Sequence, residues 1–198
     1  MSTDTDQRTD SEERYVVRAI RADEWPALRE LRLAALRDPV AHLAFLETYE
    51  QAAARPESFW RQRAQSAAEG ADGARQVIAQ GPDGAWVGSV TVLIEEAGTT
   101  DWAGFPVERR QGHLVGVFMR PEHRGCGLTE LLFDEALSWA WRQAVERVRL
   151  IVHEENGRAR ALYRRVGFVP SGVTVPVVRN GGTGETGDVE LEYVLERP

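Results

Sequence analysis

YVVRAIR, residues 15–21, alternates apolar with polar or small side chains, which is the two-residue period of a strand with one covered face. The period then changes. In ADEWPALRELRLAALRD (22–38), Leu28, Leu31, Leu36 and the alanines between them recur at helical spacing, with Asp23 suited to the N-cap and Pro26 to the first turn. The linker that follows, from Asp38 to Arg55, holds no single period and reads as partly helical, and PESFWRQRAQSAAEG (56–70) predicts a second helix with Pro56 near its start. RQVIAQG (75–81) and AWVGSVTVLIEEA (85–97) predict two strands joined by a turn at PDG. A long loop (98–112) separates them from a buried strand, HLVGVFM (113–119), and loops of this length are often functional or mobile. A helix to about Ala144, a strand at RVRLIVHE (147–154) and a short helix at NGRARALYRRVGF (156–168), closed by Gly167, come next. VTVPVVRN (173–180) and DVELEYVLER (188–197) are the last strands, joined by the glycine-rich tip GGTGETG. The order β-α-α-β-β-β-α-β-α-β-β predicts a mixed α/β fold, a sheet flanked by helices. Residues 15–198 form one predicted domain behind a polar tail, 1–14, that has no apolar core and reads as disordered and not as a signal peptide.

Composition narrows the chemistry. With 42% hydrophobic and 28% charged residues, the chain has the make-up of a soluble globular protein. The net charge of −7 speaks against a nucleic-acid partner, and no apolar run approaches the roughly 20 residues of a membrane span. All 24 basic residues are arginines, so no lysine can form a Schiff base or complete a phosphate loop. One cysteine, Cys126, excludes an internal disulfide and points to a reducing, cytoplasmic setting. That cysteine and the 4 scattered histidines also lack the spacing of a zinc site.

The stretch RPEHRGCGLTELLFDEAL (120–137) places two glycines at the first turn of a helix. Free backbone N–H groups there, with the helix dipole, suit a phosphate; the alternative is a tight turn and nothing more. A nucleotide-triphosphate loop is excluded, because GxxxxGK[ST] is missing. RGCGLT, Arg124 to Thr129, resembles the acetyl-CoA loop of the GNAT superfamily of N-acetyltransferases, with Arg124 and Gly127 in place and Thr129 where glycine or alanine is usual. VHEENGRARALYRRVGF (152–168) resembles the family's strand-to-helix signature through Val152, Asn156, Ala159, Leu162, Tyr163, Gly167 and Phe168. Each motif is weak alone; in this order, together, they are specific.

The resemblance implies a GNAT-like fold: a mostly antiparallel sheet of seven strands, four flanking helices and one splayed parallel pair. It implies acetyl-CoA as co-substrate, an amine as acceptor, direct attack without a protein nucleophile, and no metal. The diphosphate would lie on Arg124, Gly125, Cys126, Gly127, Leu128 and Thr129, and the pantetheine on Val117, Phe118 and Met119, with Gly116 marking the bulge that parts the strands. The N–H of Met119 is the implied oxyanion donor. Asn156 and Ala159 would meet the cofactor arm, although Asn156 also suits a helix N-cap. Tyr163 is the candidate general acid, its hydroxyl (ordinary pKa about 10) being close to a thiol in acidity. For the base, His113 competes with Glu154 and Glu155. Any of Arg158, Arg160, Arg164 and Arg165 could serve the 3′-phosphate.

The acceptor is expected between the linker after Asp38 and the tip near Asn180–Asp188. There Phe45, Tyr49 and Glu47 form either an aromatic, anionic wall for a cationic amine or part of the core. A small-molecule amine comes first as acceptor, a protein or peptide amine second, and a non-catalytic acyl-CoA sensor is the reading of a different class. Trp139 and Trp141 cannot both face the core, which leaves a homodimer contact open, and Trp102 offers an exposed tryptophan for an interaction surface.

Overall fold

The computed structural model describes residues 15–101, 104–176 and 189–198; the N-terminal tail, Trp102 and the tip at Asn180–Asp188 lie outside the described residues. Seven strands, β1 (Val16–Ala19), β2 (Ala74–Gln80), β3 (Trp86–Glu95), β4 (Gln111–Met119), β5 (Arg147–His153), β6 (Val169–Pro176) and β7 (Val189–Glu196), form one sheet in the order β1-β2-β3-β4-β5-β7-β6. Every neighbouring pair is antiparallel except β4 with β5. This is the mixed, mostly antiparallel sheet expected.

Helices α1 (Trp25–Leu36) and α3 (Glu57–Ala67) cover one face, closing a core of Leu28, Leu31, Trp60, Ile78 and Phe118. Helices α4 (Leu128–Arg142) and α5 (Gly157–Val166) cover the other, around Leu132, Phe133, Val148, Leu150 and Phe168. The strand alternation is what divides them: Val77 and Val92 turn toward α4, and their neighbour Ile78 toward α1. On α4, Trp139 is buried, and Trp141 packs half-buried against the same core.

Three boundaries differ from the sequence expectation. A fifth helix, α2 (Tyr49–Ala53), lies in the linker, started by Thr48, whose hydroxyl accepts from Gln51 N while the Gln51 side chain accepts from Thr48 N. Glu24, and not Asp23, stands at the N-cap position of α1 after a single 3-10 turn, its carboxylate accepting from Arg21 N and not from the helix. β6 starts at Val169, directly after the C-cap of α5, since Gly167 at φ +109° reverses the chain and the Phe168 N–H closes on Tyr163 O at 3.0 Å.

Candidate active site

β4 and β5 are in register only at Gly112–Val148, His113–Arg149 and Leu114–Leu150, and beyond these pairs they separate. The cause lies on the other edge of β4. Thr91 opposes Val115 and Ser89 opposes Phe118, so Val90 alone faces both Gly116 and Val117. Gly116 takes φ +64°, a left-handed conformation that glycine adopts freely, and the extra residue bends the strand away.

A cavity of about 530 Å³ opens beyond the bulge. Val117, Phe118 and Met119 line it from β4, and Asn156, Ala159, Leu162 and Tyr163 line it from α5 and its cap. Ala41, Ala44 and Phe45 of the linker close a third side. At the far end lie Gly125, Gly127 and Thr129. Gly125 and Gly127 hold φ of +81° and +82°, and a Cβ on either would meet nothing within 4 Å. Backbone conformation therefore demands these glycines, and the space before them is open. The first helical N–H with an acceptor is that of Leu131, bonded to Gly127 O at 3.2 Å. The N–H groups of Leu128, Thr129 and Glu130 have no acceptor among the described residues, and Gly127, Thr129 and Glu130 line this end of the cavity, the kind of helix start that binds an anion.

Charge at that end is arginine-rich and partly neutralised. Arg124 Nε donates to Met119 O at 2.7 Å, and its terminal nitrogen pairs with Asp38. Although burial opposes it, the Asp38 carboxyl sits below its usual range, held by the Val40 N–H and by Arg124. Of the four α5 arginines, Arg158 and Arg165 line the cavity; Arg165 reaches Glu130 at 3.1 Å. Arg160 is spent on Glu154 O and the Tyr193 hydroxyl, and Arg164 lies over the Tyr193 ring.

Tyr163 is 7% exposed, its ring packed 5.9 Å from that of Phe133 and 6.4 Å from that of Phe168. Its hydroxyl makes no hydrogen bond to any described residue. Burial pushes the phenol well above its ordinary pKa, so it stays protonated through neutral pH. Asn156 caps α5, its Oδ1 accepting from Ala159 N at 3.1 Å, and it also lines the cavity.

Several expected site residues stand elsewhere. His113 is 2% exposed, away from the cavity lining, with Nδ1 3.0 Å from Glu95 Oε1. It belongs to a buried ion cluster in which Arg149 binds Glu95 through two nitrogens (2.9 and 2.7 Å) and also reaches Asp101 and Glu192. Glu154 is exposed at the end of β5 and does not line the cavity, and Glu155 is likewise exposed. These positions correct the expectation of a base at His113 or Glu154. Cys126 and Leu128 can offer only their backbone: the Cys126 thiol is exposed and donates to His123 O, and Leu128 is buried in the core. Glu47 is not a free anionic wall, because Arg32 and Arg55 hold it at 3.2 and 3.5 Å. Tyr49 sits under the Arg37 guanidinium, 4.3 Å from its ring centroid. Asp38 and the alanines after it are cavity residues that the sequence pattern did not single out. The Thr48–Gln51 capping pair was the one local signal that the linker turns back as helix.

A bulged strand parting from its parallel neighbour above a glycine turn is the architecture of the GNAT acetyltransferases. A profile of the acetyltransferase (GNAT) family matches residues 25–168, and the chain belongs to that family. Over 91 residues it is 35% identical to a mycothiol acetyltransferase of Beutenbergia cavernae, a match that spans 46% of this chain and only 27% of that relative's length. Among solved structures, the phosphinothricin acetyltransferase of Sinorhizobium meliloti in complex with acetyl-CoA superposes with a TM-score of 0.67 at 16% identity, covering 92% of this chain and 88% of that one. An acetyltransferase of the GNAT family from Streptococcus pneumoniae gives 0.63 at 19% identity, covering 93% and 100%. Likeness at these identities establishes the fold.

Proposed function

We propose that the protein is an N-acetyltransferase carrying the acetyl group of acetyl-CoA to a primary amine of a small molecule. The observation that carries this reading is the cavity along β4 beyond the bulge, with unpaired helix N–H groups at one end and Tyr163 in its wall. The diphosphate lies on the N–H groups of the 125–130 turn with Arg124, Arg158 and Arg165 around it, and the pantetheine runs along Val117–Met119 past Asn156 and Ala159. The amine lone pair attacks the thioester carbonyl carbon, and the Met119 N–H steadies the oxyanion. As the carbon–sulfur bond breaks, its electron pair passes to sulfur and Tyr163 supplies the proton. The nitrogen's proton leaves to solvent, from which the phenol is restored. The high phenol pKa supports a donor role over a base, and the same apolar surroundings raise the basicity of the thiolate that takes the proton.

The choice of a small acceptor rests on the linker, which covers the cavity with Ala41, Ala44 and Phe45. Thiol release from acetyl-CoA, followed across a panel of small amines and peptides, tests the reading. Release with small amines is expected; release with peptides alone would replace the small acceptor by a protein one. No release with any amine, together with acetyl-CoA binding, would leave an acyl-CoA sensor in place of an enzyme.

A further inference from the structure

A second, smaller cavity lies on the α1/α3 side of the sheet, against the bulge. It is lined by Arg32 of α1, Arg63 of α3, Gln76 of β2, Ser89 and Thr91 of β3, and Gly116 itself. Strand register explains the grouping: Gln76 opposes Thr91, and Ser89 opposes Ile78, so all three polar side chains share the face that is otherwise apolar. They are buried to 7%, 6% and 8% exposure for Gln76, Ser89 and Thr91. None of the three makes a side-chain hydrogen bond to any described residue, and neither does the Arg63 guanidinium. Arg32 bonds Glu47 but leaves its Nε without a partner. Of these lining groups the Arg32 Nε is fully enclosed without a partner, and the set as a whole offers hydrogen bonds to a polar occupant of the cavity.

The sign of that occupant follows from the charges. Arg32 and Arg63 stand beside a single carboxylate, Glu47, which Arg55 already shares. Burial lowers the pKa of both arginines, and for Arg63 the repulsion of Arg32 adds to it, so a further anion would relieve both. The volume is about 20 Å³, room for one or two water-sized groups. That fits the oxygens of one carboxylate and not the body of a substrate. Phe45 and Phe118 line this cavity and the larger one alike, and the Thr91 hydroxyl lies 4.0 Å from where a Cβ on Gly116 would stand.

We infer that this cavity is an acceptor subsite for a carboxylate, and that the physiological acceptor is an amino acid or a similar small amine carrying a carboxylate within a few bonds of its nitrogen. The inference rests on the acetyltransferase reading above. Arg63 takes the carboxylate as a charge-assisted pair, and Gln76, Ser89 and Thr91 complete its hydrogen bonds. The amine then points past Phe45 and Phe118, which border both cavities, toward the thioester in the larger one.

The test compares each of the L-amino acids with its amide and its decarboxylated amine, by acetyl-CoA thiol release and by thermal shift. At least one acid is expected to exceed its amide tenfold or more in kcat/KM. Arg63→Met should erase that preference, raising KM for the acid at least tenfold while leaving KM for acetyl-CoA and the melting temperature of the free protein unchanged. Arg63→Lys, which keeps the charge, should restore part of it. Amides and simple amines acetylated as well as the acids would sink the carboxylate subsite, with the enzyme reading intact and the cavity left to ordered water. So would an Arg63→Met protein that keeps the preference, or a panel in which no acid is turned over or shifts melting. If acetyl-CoA itself produced no thermal shift, the acetyltransferase reading would fail separately.

Discussion

Gly127 holds φ +82° with open space around it, so replacing it with alanine meets no atom and pays only for conformation. Gly127→Ala should cost about 1 kcal/mol, a loss of roughly 2–4 °C in melting temperature, with weakened acetyl-CoA binding as the turn relaxes. Differential scanning calorimetry and a binding titration check both. Tyr163 is the opposite case, a side chain held rigid by Phe133 and Phe168 whose hydroxyl does nothing for the fold. Tyr163→Phe should therefore lower kcat by about 10²-fold or more, while leaving acetyl-CoA affinity and stability near wild type. Equal turnover in the variant would remove Tyr163 from the chemistry. Both residues were legible in the sequence, because a glycine at a helix start and a Leu-Tyr pair ahead of Gly-Phe are local patterns. Arg63 was not, since an arginine in QRAQS has no local feature that distinguishes a solvated side chain from one aimed into a cavity.

Between elements, the ion cluster around Arg149 joins β3, β4, β5 and β7 and takes in Asp101. Arg149 touches Glu95, Asp101 and Glu192, and Gln111 and His113 complete the shell around Glu95. Arg149→Met would remove the cation shared by Glu95, Asp101 and Glu192, leaving Glu192 to Arg147 and Glu95 to His113 and Gln111, and should destabilise by about 3–5 kcal/mol in urea unfolding at neutral pH. The pH dependence has a definite sign. Burial alone would raise the Glu95 pKa, but the hydrogen bonds and charges of His113 and Arg149 win and lower it from 4.5 to about 2. A depressed carboxylate stabilises the fold at pH above its unfolded value and loses that contribution as protons reach the folded group. Stability should then fall between pH 4.5 and 2 in the wild type, and fall less steeply over that interval in Arg149→Met. Placing His113 near the reaction centre from sequence failed for this reason: strand position put it on the correct strand, but Glu95 and Arg149, distant in the chain, claim its ring. The strand and helix periods themselves were readable, apart from α2, whose single turn is too short to show one.

For the molecule as a whole, the bulge ties the two cavities together. The sheet parts at Gly116, the larger cavity opens on the α5 side, and the polar one lies on the α1/α3 side. Acetyl-CoA binding only the folded state should stabilise it by about 2.7 kcal/mol at a hundred times its Kd, several degrees in a thermal melt. A flat melting curve against acetyl-CoA would contradict the cavity assignment. By itself the chain determined the order of elements, the glycine turn, the position of Tyr163 and the family, because periodicity, backbone conformation and motif spacing are written over a few consecutive residues. Only the tertiary structure decided which titratable groups meet. It turned Glu47 inward to arginines, drew His113 into an ion cluster, left Glu154 outside, and sealed Ser89 and Thr91 beneath helices. Each of those outcomes depends on the charge and packing of partners many strands away, which a local pattern does not carry.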